Sequence, residues 1–133
     1  MTTIVETLWA SAEQALRIFA KRLADDDPTL RHELRRTAND AFLLRAYLSF
    51  RKRADGDEVA VTVDVQGDGK RLVVASDACT EDGTVIADGP SSTIPLFAGQ
   101  AETEAALASW LKAFEHFLQT NEQTFRIATT RLS

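Results

Sequence analysis

Three segments of this chain alternate apolar and polar residues, and this alternation constrains the fold more than any other feature. Side chains along a β-strand point to opposite faces in turn, so alternation predicts a strand with one buried face. The first predicted strand begins near Leu43. The apolar positions of the three segments are Phe42, Leu44, Ala46, Leu48 and Phe50, then Val61, Val63 and Val65, then Leu72 and Val74. The sequence therefore predicts an antiparallel sheet with one apolar face and one polar face.

Two glycine-containing turns, Asp55-Gly56 and Gly67-Asp68, are predicted to join these strands as hairpins. On the apolar face they pair Phe50 with Val61, Leu48 with Val63, Ala46 with Val65, Val63 with Leu72, and Val61 with Val74. On the polar face they pair Arg53 with Glu58, Ser49 with Thr62, and Asp64 with Arg71. The set predicted to be buried together is Phe50, Val61, Val63, Leu72 and Val74. A helical reading of residues 39–50 stays open as an alternative.

A fourth strand is predicted over residues 84–87. Residues 88–92, which contain a glycine and a proline, are expected to break the sheet. Residues 93–97 are expected to form an extended piece at the sheet edge, because Pro95 cannot donate a hydrogen bond to a central ladder.

Helical periodicity predicts a first helix that begins at Thr3 and ends before Pro28. A second helix is expected to begin at Pro28, where a missing backbone donor costs nothing, and to end at Asn39. A third helix is expected over residues 102–127. The predicted fold is α+β in the order ααββββα: two N-terminal helices, a four-stranded antiparallel meander, and a long C-terminal helix packed on the sheet. One domain is expected over residues 1–133.

Composition and charge argue against several classes of protein. The net charge of −5 and the sequence pI of about 5.0 oppose attraction to nucleic acid or to anionic lipid. No secretory signal is recognisable, and no apolar run approaches the roughly 20 residues that cross a bilayer. The chain is therefore expected to be soluble and cytoplasmic, with no membrane partner. Cys79 is the single cysteine, so neither an intramolecular disulfide nor a multi-cysteine metal site is expected.

Positive charge is concentrated between Arg31 and Arg53, where seven basic residues stand against two acidic ones, a local charge of +5. The run Arg51, Lys52 and Arg53 is a candidate basic patch. Neither a recognition helix nor interleaved aromatic residues accompany it, as nucleic-acid binding would favour. A solvated surface is the simpler interpretation.

The sequence contains no complete catalytic motif that its context supports. Gly67 and Gly69 lack the third glycine of a dinucleotide-binding loop, and His32 lacks the second histidine of a helical zinc site. We therefore assign no catalytic, cofactor-binding or metal-binding residue, and we expect no cofactor. An alternative remains: a small-ligand or small enzyme domain with a pocket between the sheet and the C-terminal helix, lined by Tyr47, Cys79 and His116.

The predicted C-terminal helix carries Trp110, Phe114 and Phe117 on one flank, beside several leucines. This flank is wider than one contact with a sheet needs, unless the N-terminal helices cover it. The three rings are therefore a candidate interaction surface. The leading hypothesis is a non-catalytic interaction domain, similar in class to adaptors, chaperones or immunity proteins, that binds a protein partner or forms a homodimer.

Overall fold

The computed structural model describes residues 2–133. Its helices are α1 (Thr2–Asp26), α2 (Gln100–Thr120) and α3 (Glu122–Thr130). Its strands are β1 (Arg31–Thr37), β2 (Leu44–Arg51), β3 (Val59–Gly67), β4 (Arg71–Thr80) and β5 (Val85–Pro95). The predicted α+β class and antiparallel sheet are confirmed. The order within the described residues is αβββββαα, so the predictions of four strands and of two N-terminal helices are wrong.

The five strands form one antiparallel meander in the order β1-β2-β3-β4-β5. One face of this sheet packs against the helices and forms the core, and β2 alternates strictly between buried and half-buried residues. The predicted buried set is confirmed, because Phe50, Val61, Val63, Leu72 and Val74 are each 0% exposed. The alternation in the sequence therefore identified the core face correctly.

Three aromatic rings join both ends of the chain to the sheet. Phe19 of α1, Phe50 of β2 and Phe125 of α3 pack edge to face, with ring centroids 5.1 to 6.2 Å apart. Edge-to-face packing contributes about 0.5–1.5 kcal/mol per pair beyond the area buried. This cluster fixes α1 and α3 on the same side of the sheet.

The predicted second helix is instead strand β1. Asp27, which would be the N-cap of that helix, accepts hydrogen bonds from the backbone N–H and the hydroxyl of Thr29, but its own carbonyl accepts from Leu30 in a turn and no helix follows. Leu34 then lies opposite Leu48 of β2, in antiparallel register. Without β1, the apolar strand β2 would be an exposed sheet edge, which proteins avoid. Tertiary pairing therefore overrides the local helix signal at Pro28.

The predicted register of both hairpins is wrong, although the predicted face is right. Leu48 lies opposite Val61 rather than Val63, and Val63 lies opposite Ser76 rather than Leu72. Both connecting loops are longer than the predicted two-residue turns. Each slip is an even number of residues, and an even slip leaves every side chain on its original face.

Strand β5 continues through residues 88–92, where a break was expected. It does so by a bulge, since the register shifts between Ala75 and Asp77 of the neighbouring strand. A Cβ added at Gly89 would lie 2.4 Å from Ser76 Oγ, so this close approach requires glycine. Pro90 is tolerated because β5 is an edge strand and needs donors on one side only. The expected edge position of residues 93–97 is confirmed as far as Pro95.

The long C-terminal helix is divided at Asn121, whose φ and ψ of −101° and 9° end α2 before α3 begins. The Asn121 side chain donates to the carbonyl of Phe117 and helps to close α2. The division lets Phe125 reach the core. No helix within residues 2–133 combines the length and apolar character needed to cross a membrane.

Candidate functional site

The sheet has a second face that none of the described helices covers, and this is termed the open face. Its side chains come from alternate positions of all five strands. They are Arg31, Glu33, Arg35 and Thr37 of β1; Arg45, Tyr47, Ser49 and Arg51 of β2; Ala60, Thr62, Asp64 and Gln66 of β3; Arg71, Val73, Ala75, Asp77 and Cys79 of β4; and Val85, Asp88, Ser91, Thr93 and Pro95 of β5. This surface is broad, and its centre carries short side chains.

The centre of the open face is closely packed although no described element lies over it. Ala60 and Thr62 of the central strand are only 5% and 6% exposed, yet Ala60 is not part of the hydrophobic core. Thr62 Oγ1 donates to Asp77 Oδ1 at 2.5 Å. Val73 and Val85, towards the β5 side, are 38% and 49% exposed. A surface with short side chains at its centre and exposed apolar area at one side can pack closely against another surface.

Charge on the open face is divided between its two sides. The β1–β2 side carries Arg31, Arg35, Arg45 and Arg51, the last three of which are paired with carboxylates of the same chain. The β4–β5 side carries Asp77 and Asp88, which lie directly opposite each other, and one arginine, Arg71, at the start of β4, 3.3 Å from Asp68. Adjacent like charges destabilise a sheet. Within residues 2–133, neither Asp77 nor Asp88 forms an ion pair.

Two titratable groups near the middle of the open face have raised pKa values. Burial raises the pKa of Asp64, although Arg45, whose Nε lies 3.2 Å from Asp64 Oδ1, acts in the opposite direction. Burial also raises the pKa of the Cys79 thiol, and Asp77 and Glu58 add to the shift. A reactive cysteine needs a lowered pKa and basic neighbours. The surroundings of Cys79 therefore suppress nucleophilic chemistry.

The three aromatic residues of the predicted interaction surface lie in the core of the chain itself. Trp110, Phe114 and Phe117 are 1%, 0% and 5% exposed, because α2 packs against β5 and α1. Trp110 stacks on Phe114, and its Nε1 donates to the carbonyl of Pro90 at 3.3 Å. The expectation that these rings present a surface is therefore corrected.

The predicted basic patch is largely neutralised by nearby carboxylates. Arg51 lies 2.6 Å from Glu58, which had been predicted to pair with Arg53. Lys52 lies 3.9 Å from Asp27, and Arg53 lies 3.4 Å from the carboxylate of Asp55. The patch therefore presents little free positive charge.

The three residues of the alternative pocket do not converge. Tyr47 and Cys79 lie on the open face, on strands separated by β3. His116 lies on α2, on the other side of the sheet, and is exposed, with its Nε2 3.2 Å from the hydroxyl of Thr120. A pocket between sheet and helix cannot be lined by all three.

Grooves on the helical side show no catalytic grouping. A groove of about 320 Å³ lies between α1 and α2. Arg22 of α1 and Glu122 of α3 lie at its rim and form an ion pair. A second, of about 580 Å³, lies where α1 and α2 begin, beside the exposed Phe97. The described residues contain no group of three or more His, Cys, Asp or Glu placed to hold a metal ion.

Sequence reasoning missed Asp88, because its segment was expected to lie outside the sheet. The available signal was Gly89, since an isolated glycine within an extended segment often marks a bulge rather than a break. The division of charge across the open face depends on strand order, which no local pattern contains.

Comparison with known proteins gives no relative: no protein-family model matches the chain, and neither a curated protein nor a solved structure matches it.

Proposed function

We propose that this protein is a non-catalytic protein-binding domain whose contact surface is the open face. The observation that carries the proposal is the packing of Ala60 and Thr62, which are almost fully buried on a face that no described helix covers. Because these residues are already buried, a partner that covers them removes little water from polar groups. The exposed side chains of Val73 and Val85, at one side, supply apolar area that a partner would bury. The proposed class is that of adaptors, chaperones or immunity proteins.

The chemistry of the described side chains supports binding rather than catalysis. Catalytic acids, bases and nucleophiles are found in clefts, near groups that tune their pKa values towards their task. Here Cys79 has a raised pKa, and His116 is distant on α2. The open face offers instead hydroxyl groups, one tyrosine and charges of both signs, which suit recognition of a protein surface.

A bulky residue at the centre of the open face provides the test. We expect Ala60→Arg to weaken partner binding strongly, because a long charged side chain would hold the partner away from the open face. Ala108→Arg is the matched control, since Ala108 is exposed on α2. Wild type and both variants are immobilised and used to capture partners from extracts of the source cell, and binding is then measured with the purified partner.

The expected result is a partner that binds wild type and Ala108→Arg with equal affinity and Ala60→Arg at least about tenfold more weakly, a loss of about 1.4 kcal/mol. Circular dichroism confirms that the variants are folded. Equal binding to all three proteins would show that the contact surface lies elsewhere. The absence of any partner, a second copy included, would contradict the proposed function.

A further inference from the structure

We infer that the partner of the open face is a second copy of this chain, packed face to face with the first. The inference rests on the proposed function and names the partner of that same surface. It is carried by the distribution of charge across the five strands. In one symmetric arrangement of two copies, the more positive side of each open face lies over the more negative side of the other.

A two-fold axis lying between the two faces and running along β3 reverses the strand order but keeps each position along the strands. Strand β1 of one copy then lies over β5 of the other, and β2 lies over β4. The arginine-rich side of each face therefore meets the aspartate-bearing side of its partner. An axis running across the strands would instead place like charges together. Closed two-fold dimers are the commonest symmetric assemblies.

One row of residues shows this complementarity most clearly. Arg35, Tyr47, Thr62, Asp77 and Asp88 are successive partners across the five strands. In the dimer Arg35 faces Asp88 of the second copy, and the hydroxyl of Tyr47 faces Asp77. Asp88 would thereby gain a positive partner, which it would share with Glu33, since Glu33 lies 2.9 Å from Arg35 in the same chain. Asp77 would gain a second hydroxyl donor beside that of Thr62.

The centre of the face permits close approach of the two copies. Ala60 and Thr62 lie on the axis, and both are short and already buried. Packed sheets lie about 10 Å apart with their strands within about 30° of each other, so small residues at the crossing point allow contact. Asp64 also lies near the axis, but Arg45 of its own chain stands beside it and limits the repulsion between copies.

The area of the face suits a stable dimer. Five strands spaced about 4.8 Å apart and about eight residues long cover about 600 Å² in each copy, or about 1,200 Å² in total. Specific interfaces bury about 1,200–2,000 Å², so the face alone reaches the lower end of this range.

The test uses two single charge reversals, Arg35→Glu and Asp88→Arg. The dimer contains two equivalent contacts between position 35 of one copy and position 88 of the other. In a homodimer of either variant, both contacts bring charges of the same sign together. A heterodimer of the two variants, formed in a one-to-one mixture, restores both attractive pairs. Positions 35 and 88 are then both acidic in one chain and both basic in the other. Sedimentation equilibrium at low salt measures the wild type, each variant and the mixture, and circular dichroism confirms folding. Arg17→Glu, the same reversal on the exposed surface of α1, is the control.

We expect the wild type and Arg17→Glu to be dimeric at micromolar concentration. Each interface variant alone should raise the dimer dissociation constant at least tenfold, and their mixture should form a heterodimer with near wild-type affinity. The thiol of Cys79 lies on the face that the dimer covers. In the wild type, its reaction with maleimide should therefore become slower as the protein concentration rises. In Arg35→Glu the rate should not depend on protein concentration.

A monomeric wild type, or a dimer that neither reversal weakens, would overturn the inference. So would variants that dissociate but do not associate with each other in the mixture. A monomeric wild type that still binds another protein through the face blocked by Ala60→Arg would overturn the inference alone and leave the proposed function standing.

Discussion

Trp110 and Phe97 are both large aromatic side chains, but they lie in opposite surroundings. Trp110 is 1% exposed, stacks on Phe114 with centroids 4.9 Å apart and donates a hydrogen bond to Pro90. Phe97 precedes α2 and is 81% exposed. Burial therefore makes Trp110 a determinant of stability, although its residue type is also typical of interface anchors.

We expect Trp110→Ala to lower the free energy of unfolding by about 3–5 kcal/mol, because it removes a buried ring and leaves a cavity. Phe97→Ala should change it by less than about 0.5 kcal/mol, since the ring loses little contact. Urea denaturation followed by circular dichroism measures both values. Similar losses in the two variants would contradict the assigned burial.

The short helix α3 depends on contacts with α1. Its nine residues are too few for an isolated helix to be stable in water. Glu122 accepts a hydrogen bond from Arg22 of α1 at 2.7 Å and another from Arg126 at 3.3 Å, while Arg126 also lies 2.5 Å from Asp26. These ion pairs and the buried ring of Phe125 hold α3 against the end of α1.

We expect Arg126→Ala to lower the free energy of unfolding by about 1 kcal/mol at neutral pH, because Asp26 loses its described ion pair and Glu122 keeps only that with Arg22. Hydrogen bonding from Arg22, and to a smaller extent from Arg126, lowers the pKa of Glu122 against an opposing effect of burial. A lowered pKa contributes stability above the ordinary glutamate range, and this contribution is lost as the pH falls through the lowered value.

The difference between wild type and Arg126→Ala should therefore shrink on acidification, as measured by thermal unfolding at several pH values. Lys112→Ala is a suitable control, because Lys112 is exposed on α2. A difference that stays constant down to acid pH would show that Arg126 acts through packing rather than through its ion pairs.

At the scale of the whole molecule, β3 is the middle strand of the sheet, and both of its neighbours are hydrogen-bonded to it. Seven of its nine residues are buried or half-buried. Strand β1, by contrast, is an edge strand in which every residue but Leu34 is exposed. Stability is expected to be distributed accordingly, with the lowest local opening energy at β1.

Hydrogen exchange measured by mass spectrometry should show the slowest amides in β3 and the fastest strand amides in β1. The slowest β3 amides should report the global free energy of unfolding, since opening a central strand disrupts the core. Equal protection of β1 and β3 would contradict this distribution of stability.

The sequence by itself determined which face of β2, β3 and β4 is buried. Strand side chains alternate between two faces, so the spacing of apolar residues such as Leu48, Val61 and Leu72 within each strand is enough to identify the buried face. It also determined the approximate positions of α1 and of the C-terminal helical region. Even the wrong register left these assignments intact, since both slips were even.

Only the tertiary structure decided that β1 is a strand, that β5 continues past Gly89, and that Trp110 is covered. Each of these depends on a partner distant in the chain: β2 needs a neighbour at its edge, and α2 packs on β5. The open face with its divided charge arises in the same way, from strand order. Local sequence patterns specify which side of an element is apolar. Contacts between residues distant in the chain determine which other element packs against that side.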